Sequence, residues 1–165
     1  MKIVVISDTH IPKRSKQLPD ELLEEASSAD LIIHAGDWQT AQVLEELSTF
    51  AKVEGVVGNV DGPELTALLP FKKVIEANGY RIGIVHGHGK GKTTEKRAID
   101  AFCEEEVDCI VFGHSHIPVL RYEQDILLFN PGSPTDKRRQ KYFSFGIIHA
   151  GESLVARHIF FSAKA

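Results

Sequence analysis

The chain has 165 residues, 42% of them hydrophobic and 25% charged, which supplies apolar surface for one core and fits a single domain over residues 1–165. A formal net charge of -4 with no long basic run argues against duplex DNA or RNA as the main partner. An acidic chain still handles a small anion where metal ions supply local positive charge.

Lys2–Ile6 reads as a buried strand, too short for the apolar core of a signal peptide. Pro19–Ser28 has helical spacing, with Leu22, Leu23 and Ala26 apolar and acids in its first turn. Leu31–His34 is a second strand. Thr40–Phe50 is an amphipathic helix with Thr40 as its expected N-cap. Lys52–Val57 is a third strand, and Pro63–Leu69 a short helix opening on proline. This βαβαβ rhythm predicts a parallel sheet with crossover helices. Lys72–Ala77 and Tyr80–His86 then flank Asn78-Gly79, a strong hairpin signal. Thr93–Glu105 is helical and Asp108–Phe112 a buried strand. From Pro118 onward strands dominate: Val119–Tyr122, Ile126–Asn130, Tyr142–His149 and Ser153–Phe160. Two mixed sheets packed face to face, with helices outside, are expected. No apolar stretch approaches the roughly 20 residues that span a bilayer. The two cysteines, Cys103 and Cys109, read as thiols of a reducing compartment, which points to the cytoplasm.

The polar residues that carry chemistry follow the apolar strands. Asp8 and His10 follow the first, Asp37 the second, and Asn59 and Asp61 the third; His86 ends the Tyr80 strand, and His114 and His116 follow Asp108–Phe112. Ligands of α/β sheets bind outside the carboxyl ends of strands, so these residues are expected at one edge. Side chains two apart in an extended segment point to the same side. By that rule Asp8 and His10 share one target, and so do His114 and His116. Imidazoles, carboxylates and an amide suit Mn, Fe, Co, Ni or Zn better than Ca. The donors exceed the needs of one tetrahedral ion, and two bridged ions would use them all.

Asp8-Thr9-His10, Gly36-Asp37, Gly58-Asn59-Val60-Asp61, His86 and Gly113-His114-Ser115-His116 together resemble the ordered motifs of the calcineurin-like metallophosphoesterases. The late hairpins and Asn130-Pro131-Gly132-Ser133 resemble the small bacterial and archaeal phosphodiesterases of that superfamily. The resemblance implies a four-layer αββα sandwich. It implies a first ion held by Asp8, His10, Asp37 and His116, and a second held by Asn59, His86 and His114 with Asp37 bridging. The implied reaction is in-line attack on phosphorus by a metal-bound hydroxide. Manganese is the first choice of metal, with Ni, Fe, Co, Zn and Mg as alternatives.

Many family members carry His directly after the motif Asn; here Val60 stands in its place and cannot donate a proton. This favours diesters over monoesters as the small phosphate-ester substrate. His88 becomes the candidate proton donor or phosphate contact, and Asp61 the residue that orients neighbouring ligands or backbone. Asn59 and Ser133 are the candidate substrate contacts. Trp38 either stacks on a leaving group or walls the cleft. Lys137-Arg138-Arg139 is a solvated loop or an attractor of phosphate. Gly87–Thr93 ends in Gly-Lys-Thr but lacks the first-glycine spacing of a phosphate-binding loop. His34 reads as a packed strand histidine, and His149 and His158 as structural or exposed. The rival readings are a protein-binding scaffold, because the same fold resembles a retromer coat subunit, and a phosphomonoesterase or protein phosphatase. A homodimer is the expected oligomer, if one forms.

Overall fold

The structure is a computed structural model that describes residues 1–162. Its elements in chain order are β1 (Lys2–Ile6), α1 (Asp20–Ala26), β2 (Leu31–His34), α2 (Ala41–Ser48), β3 (Lys52–Gly55), α3 (Pro63–Thr66), β4 (Lys72–Ala77) and β5 (Tyr80–Val85). They continue with α4 (Thr94–Ala101), β6 (Cys109–Val111), β7 (Val119–Glu123), β8 (Ile126–Asn130), β9 (Phe143–Ala150) and β10 (Leu154–Phe161).

The strands form two five-stranded mixed sheets, ordered β10-β9-β1-β2-β3 and β4-β5-β6-β8-β7. In the first, β1, β2 and β3 run parallel, with Val4 opposite Ile32 and Ile32 opposite Val53. Alternation along β1 explains its unbroken apolar run. Ile3 and Val5 point into the core between the sheets, with Ile33, Ile84, Val111 and Phe129. Val4 and Ile6 point the other way, onto Leu22, Val43 and Leu47 of α1 and α2. The outer face of the second sheet packs Ile110 and Leu128 against Ala98 of α4 and the adjoining Phe102. Helices therefore cover both outer faces, and the result is the expected αββα sandwich.

Asn78 and Gly79 adopt φ of 50° and 87°, and two positive values together are what a tight hairpin between β4 and β5 requires. The helices are shorter than their apolar spacing predicts. α4 ends at Ala101, because the next residue, Phe102, has a φ of -116° outside the helical range, and 102–105 form turns and a bend instead. Thr40 occupies the N-cap position of α2 but makes no side-chain cap; its hydroxyl donates to the Ile11 carbonyl at 3.2 Å. Thr93 does cap α4, accepting the Lys96 N–H at 3.2 Å. No described helix is long and apolar enough to cross a membrane.

Candidate metal centre

The carboxyl ends of β1, β2, β5 and β6 meet at one edge. Hydrogen bonds between the loops fix them: Asp8 N–H donates to Gly36 O at 3.0 Å, His10 N–H to Asp37 O at 3.1 Å, and Gly113 N–H to His86 O at 3.1 Å. Close approach demands glycine here. A Cβ at Gly58 would lie 2.0 Å from Asp37 Oδ1, and one at Gly113 would lie 1.8 Å from Ser7 Oγ.

The expected reason for convergence is corrected by the backbone. Asp8, His10, Asp37, His114 and His116 are left-handed, with φ of 57°, 45°, 60°, 68° and 60°, not extended. Such values cost about 1–3 kcal/mol each in a non-glycine residue and persist only where the surroundings enforce them. The consequence is a different grouping. Asp8 and His10 do join, but with His116; His114 departs from His116 and joins Asp37 and His86. Within each group the donor atoms lie within 4.8 Å of one another. The resemblance implies Asp37 beside Asp8, His10 and His116 and as a bridge; here its carboxylate groups with His86 and His114.

The two groups adjoin through Asp37. His86 Nε2 lies 3.1 Å from Asp37 Oδ2 and 3.8 Å from Asp8 Oδ1, and His10 Nε2 lies 3.6 Å from Asp37 Oδ2. His116 Nε2 lies 3.3 Å from Asp8 Oδ1. Asn59 Oδ1 lies 3.1 Å from His114 Nδ1, at the exposed rim of the second group.

These residues fit divalent ions. Asp8 Oδ1 and the Nε2 atoms of His10, His86 and His116 are buried without any hydrogen-bond partner. Buried polar atoms normally find one, so four orphans converging on one spot call for a ligand. The opposite ring edges are fixed. His86 Nδ1–H donates to Ala35 O at 2.7 Å, and His116 Nδ1–H to Asp136 O at 2.5 Å. In the neutral ring each bond leaves the Nε2 lone pair free for a cation, the arrangement found behind metal-binding imidazoles.

Charge is balanced locally. Burial pushes the Asp8 carboxyl up, but His10 and His116 beside it outweigh that and hold it well below the ordinary range. Burial likewise opposes ionisation of Asp37, and His86 overcomes it, so Asp37 also lies low. Burial pushes His86 down, yet Asp37 and Asp8 lift it above its usual value. His114 is pushed down to about 4, first by burial and then by His86. His88 is pushed down by the same two causes.

The other candidates separate clearly. Half-buried His88 has a buried, unpartnered Nδ1, and its ring centroid is 5.5 Å from that of His86 and 6.3 Å from that of His114. Asp61 touches backbone only: Oδ2 accepts N–H of Asp37 at 2.9 Å and Gly58 at 2.8 Å, and Oδ1 accepts Gln39 N–H at 2.8 Å. Through these contacts it ties three backbone N–H groups together. Ser133 is 1% exposed, and its hydroxyl donates to Asp8 O at 2.8 Å while accepting Asp136 N–H at 2.8 Å. It braces the β1 loop from inside, which corrects the expected substrate contact. Trp38 is also corrected: it is fully buried, stacks on His34 at 3.6 Å and donates to Val56 O at 2.8 Å. It packs the core and stacks on no ligand. His158 faces Asn130 O at 2.7 Å and stacks on Phe129, and His149 is exposed.

Sequence reasoning missed two supports. Ser7 Oγ donates to Asp8 Oδ2 at 2.7 Å, and His114 N–H reaches the same oxygen at 3.0 Å, which leaves Asp8 Oδ1 for the centre. The serine directly before Asp8 was the only available signal. Asp136, which orients His116, lies in a loop far along the chain and carried none.

An αββα sandwich with paired His/Asp groups at its strand ends defines an α/β protein with two groups able to hold metal ions. The chain belongs to the calcineurin-like phosphoesterase superfamily, whose domain profile matches residues 1–153. It is 39% identical over 143 residues to a probable metallophosphoesterase of Methanothermobacter thermautotrophicus, covering 84% of this chain and 80% of that one. Its fold is similar to that of an archaeal phosphodiesterase, with TM-score 0.77 and 23% identity over 98% of this chain and 100% of the other. It is equally similar to Entamoeba histolytica Vps29 complexed with zinc, with TM-score 0.77 and 22% identity over 97% of this chain and 99% of that one.

Proposed function

We propose that this protein is a dinuclear metal-dependent phosphoesterase that prefers diesters. The observation that carries the reading is the pair of adjoining donor groups, joined at Asp37, with four buried donor atoms lacking partners. Asp8, His10, His116 and Asp37 hold one ion, and Asp37, Asn59, His86 and His114 the other. Manganese is the proposed metal. Ions bound there would supply Lewis acidity toward phosphoryl oxygens and would lower the pKa of water near neutral pH. The protein's own residues fix the donors, exclude solvent behind them and orient the ester. His88, with its free Nδ1 beside the second group, contacts the phosphate.

Preference for diesters follows from Val60. It is 43% exposed at the rim beside Asn59, and its apolar side chain offers neither a proton nor a hydrogen bond. A diester with a good leaving group needs that help least. The name of the archaeal phosphodiesterase of like fold supports the same choice. The cytoplasm is the proposed compartment.

The test is hydrolysis of bis-p-nitrophenyl phosphate and p-nitrophenyl phosphate by the pure chain with manganese, nickel, magnesium or chelator. Metal-dependent diester turnover, lost in Asp37→Ala, is expected. No turnover with any metal, although ions bind, would replace this reading with that of a protein-binding scaffold.

A further inference from the structure

A cavity of about 190 Å³ opens against His10, walled by Lys13, Arg14, Gln39, Val60 and Arg138. Pockets that enclose a whole small ligand run to about 300–1,000 Å³, so this one takes a single group of a larger substrate. Its charge runs against that of the chain. Three cations line it against one acid, Asp136, in a protein of net charge -4. Asp136 is already engaged, with its carboxylate 3.3 Å from Arg14 Nε and its carbonyl on His116. Among the described residues, Lys13 and Arg138 have no carboxylate partner. Lys13 N–H donates to Gln39 Oε1 at 3.2 Å, which leaves the Gln39 amide NH2 to a ligand.

The wall is also held in a costly shape. Gln39 and Arg138 have φ of 82° and 49°. Left-handed backbone at such residues marks places where the fold enforces a geometry. At Gln39 the enforcing group is Asp61, which holds its N–H at 2.8 Å and that of Asp37 at 2.9 Å. One carboxylate thus sets the cavity wall and the residue between the two donor groups.

We propose that this cavity is a subsite for a second anionic group of the substrate. The preferred diester then carries a terminal phosphate, joined through a spacer to the scissile phosphorus. This rests on the phosphoesterase reading above. Guanidinium and ammonium groups supply charge-assisted hydrogen bonds to phosphate oxygens. Val60 supplies an apolar surface for the spacer, which gives the residue a role beyond the loss of histidine.

Two measurements on the full, manganese-loaded chain test the proposal. The first is equilibrium binding of thymidine 3′,5′-bisphosphate against thymidine 5′-monophosphate. The second is the ratio of kcat/KM for the dinucleotide pTpT against TpT. Both preferences are expected to reach about tenfold, the worth of one or two charge-assisted contacts. Both should collapse toward unity in Lys13→Gln/Arg138→Gln and shrink with added salt. Equal binding of the two nucleotides, or a preference that survives in the double variant, overturns the subsite. Turnover of both dinucleotides without preference overturns it while sparing the phosphoesterase reading. A binding preference lost in the variant, with no turnover of either dinucleotide, supports the subsite and sinks diester hydrolysis instead.

Discussion

Asp61 and Asp37 brace each other across two loops. Asp61 Oδ2 accepts the Asp37 N–H at 2.9 Å, and Asp37 Oδ1 accepts the N–H of Val60, the residue before Asp61, at 3.1 Å. Asp61 adds Gly58 and Gln39 to the same grip. Hydrogen bonds to a charged acceptor are worth about 1.5–3 kcal/mol each, so Asp61→Ala is expected to destabilise the chain by about 2–4 kcal/mol after water fills part of the gap. Loss of such outer support costs about 10–100-fold in metal affinity. Urea unfolding in chelator reads the first effect, and competition against a chelating dye reads the second. Unchanged affinity would strip Asp61 of its positioning role.

The division of donors predicts metal stoichiometry. Loaded wild type is expected to bind two ions per chain. His116→Ala removes a donor of the group with Asp8 and His10, and His86→Ala one of the group with Asp37 and His114. Each variant should keep about one tightly held ion, because the other group retains all its donors. Asp37→Ala should weaken both, since its carboxylate lies 3.1 Å from His86 Nε2 and 3.6 Å from His10 Nε2. Elemental analysis after gel filtration counts the ions. A single ion in wild type would end the dinuclear reading.

Much of this was legible in the sequence, because strand-end placement is a matter of pattern. Apolar runs of three to six residues marked β1, β2, β5 and β6, and the polar residues after them met at one edge. What the sequence hid was backbone handedness. His114 and His116 are two apart, and an extended chain would point them together; φ of 68° and 60° sends them to different groups. The placement of Trp38 and Ser133 was hidden for a related reason. Adjacency to Asp37 or to a turn says nothing about which way a side chain points, and both point inward. Lys13 and Arg14 gave no signal either, because the facing walls of their cavity, Gln39 and Arg138, arrive from distant loops.

Placing at Val60 the histidine that the resemblance leads one to expect tests the reading of that residue. Val60 is exposed at the cavity rim and its N–H already bonds Asp37 Oδ1 through the backbone, so a new side chain leaves that contact intact. Val60→His places an imidazole where a leaving oxygen can be protonated. A positioned general acid contributes about 10²–10⁴-fold, and a shift of at least about tenfold in the monoester-to-diester ratio of kcat/KM is expected. Stability should change little at so exposed a site. An unaltered ratio would mean that Val60 does not set the substrate preference.

Acid sensitivity should reside in part in His34. Burial pushes this ring down to about 3. The geometry shows why the neutral form is held. Gly36 N–H donates to Nδ1 at 3.2 Å, so Nδ1 must keep its lone pair, while Nε2–H faces Thr9 Oγ1 at 3.0 Å. A second proton would set N–H against N–H in a site closed by Trp38. In the unfolded chain the ring titrates near 6.5, so between about 6.5 and about 3 the unfolded state binds more protons. The contribution is therefore complete above about pH 6.5 and is lost as pH falls through that window, at up to about 1.4 kcal/mol per pH unit. His34→Gln, which keeps an acceptor but cannot charge, is expected to flatten the slope of unfolding free energy between pH 7.5 and pH 5. Urea unfolding in chelator at several pH values measures it, and parallel profiles for the two proteins would show that His34 enters the folded state already charged or fully solvated.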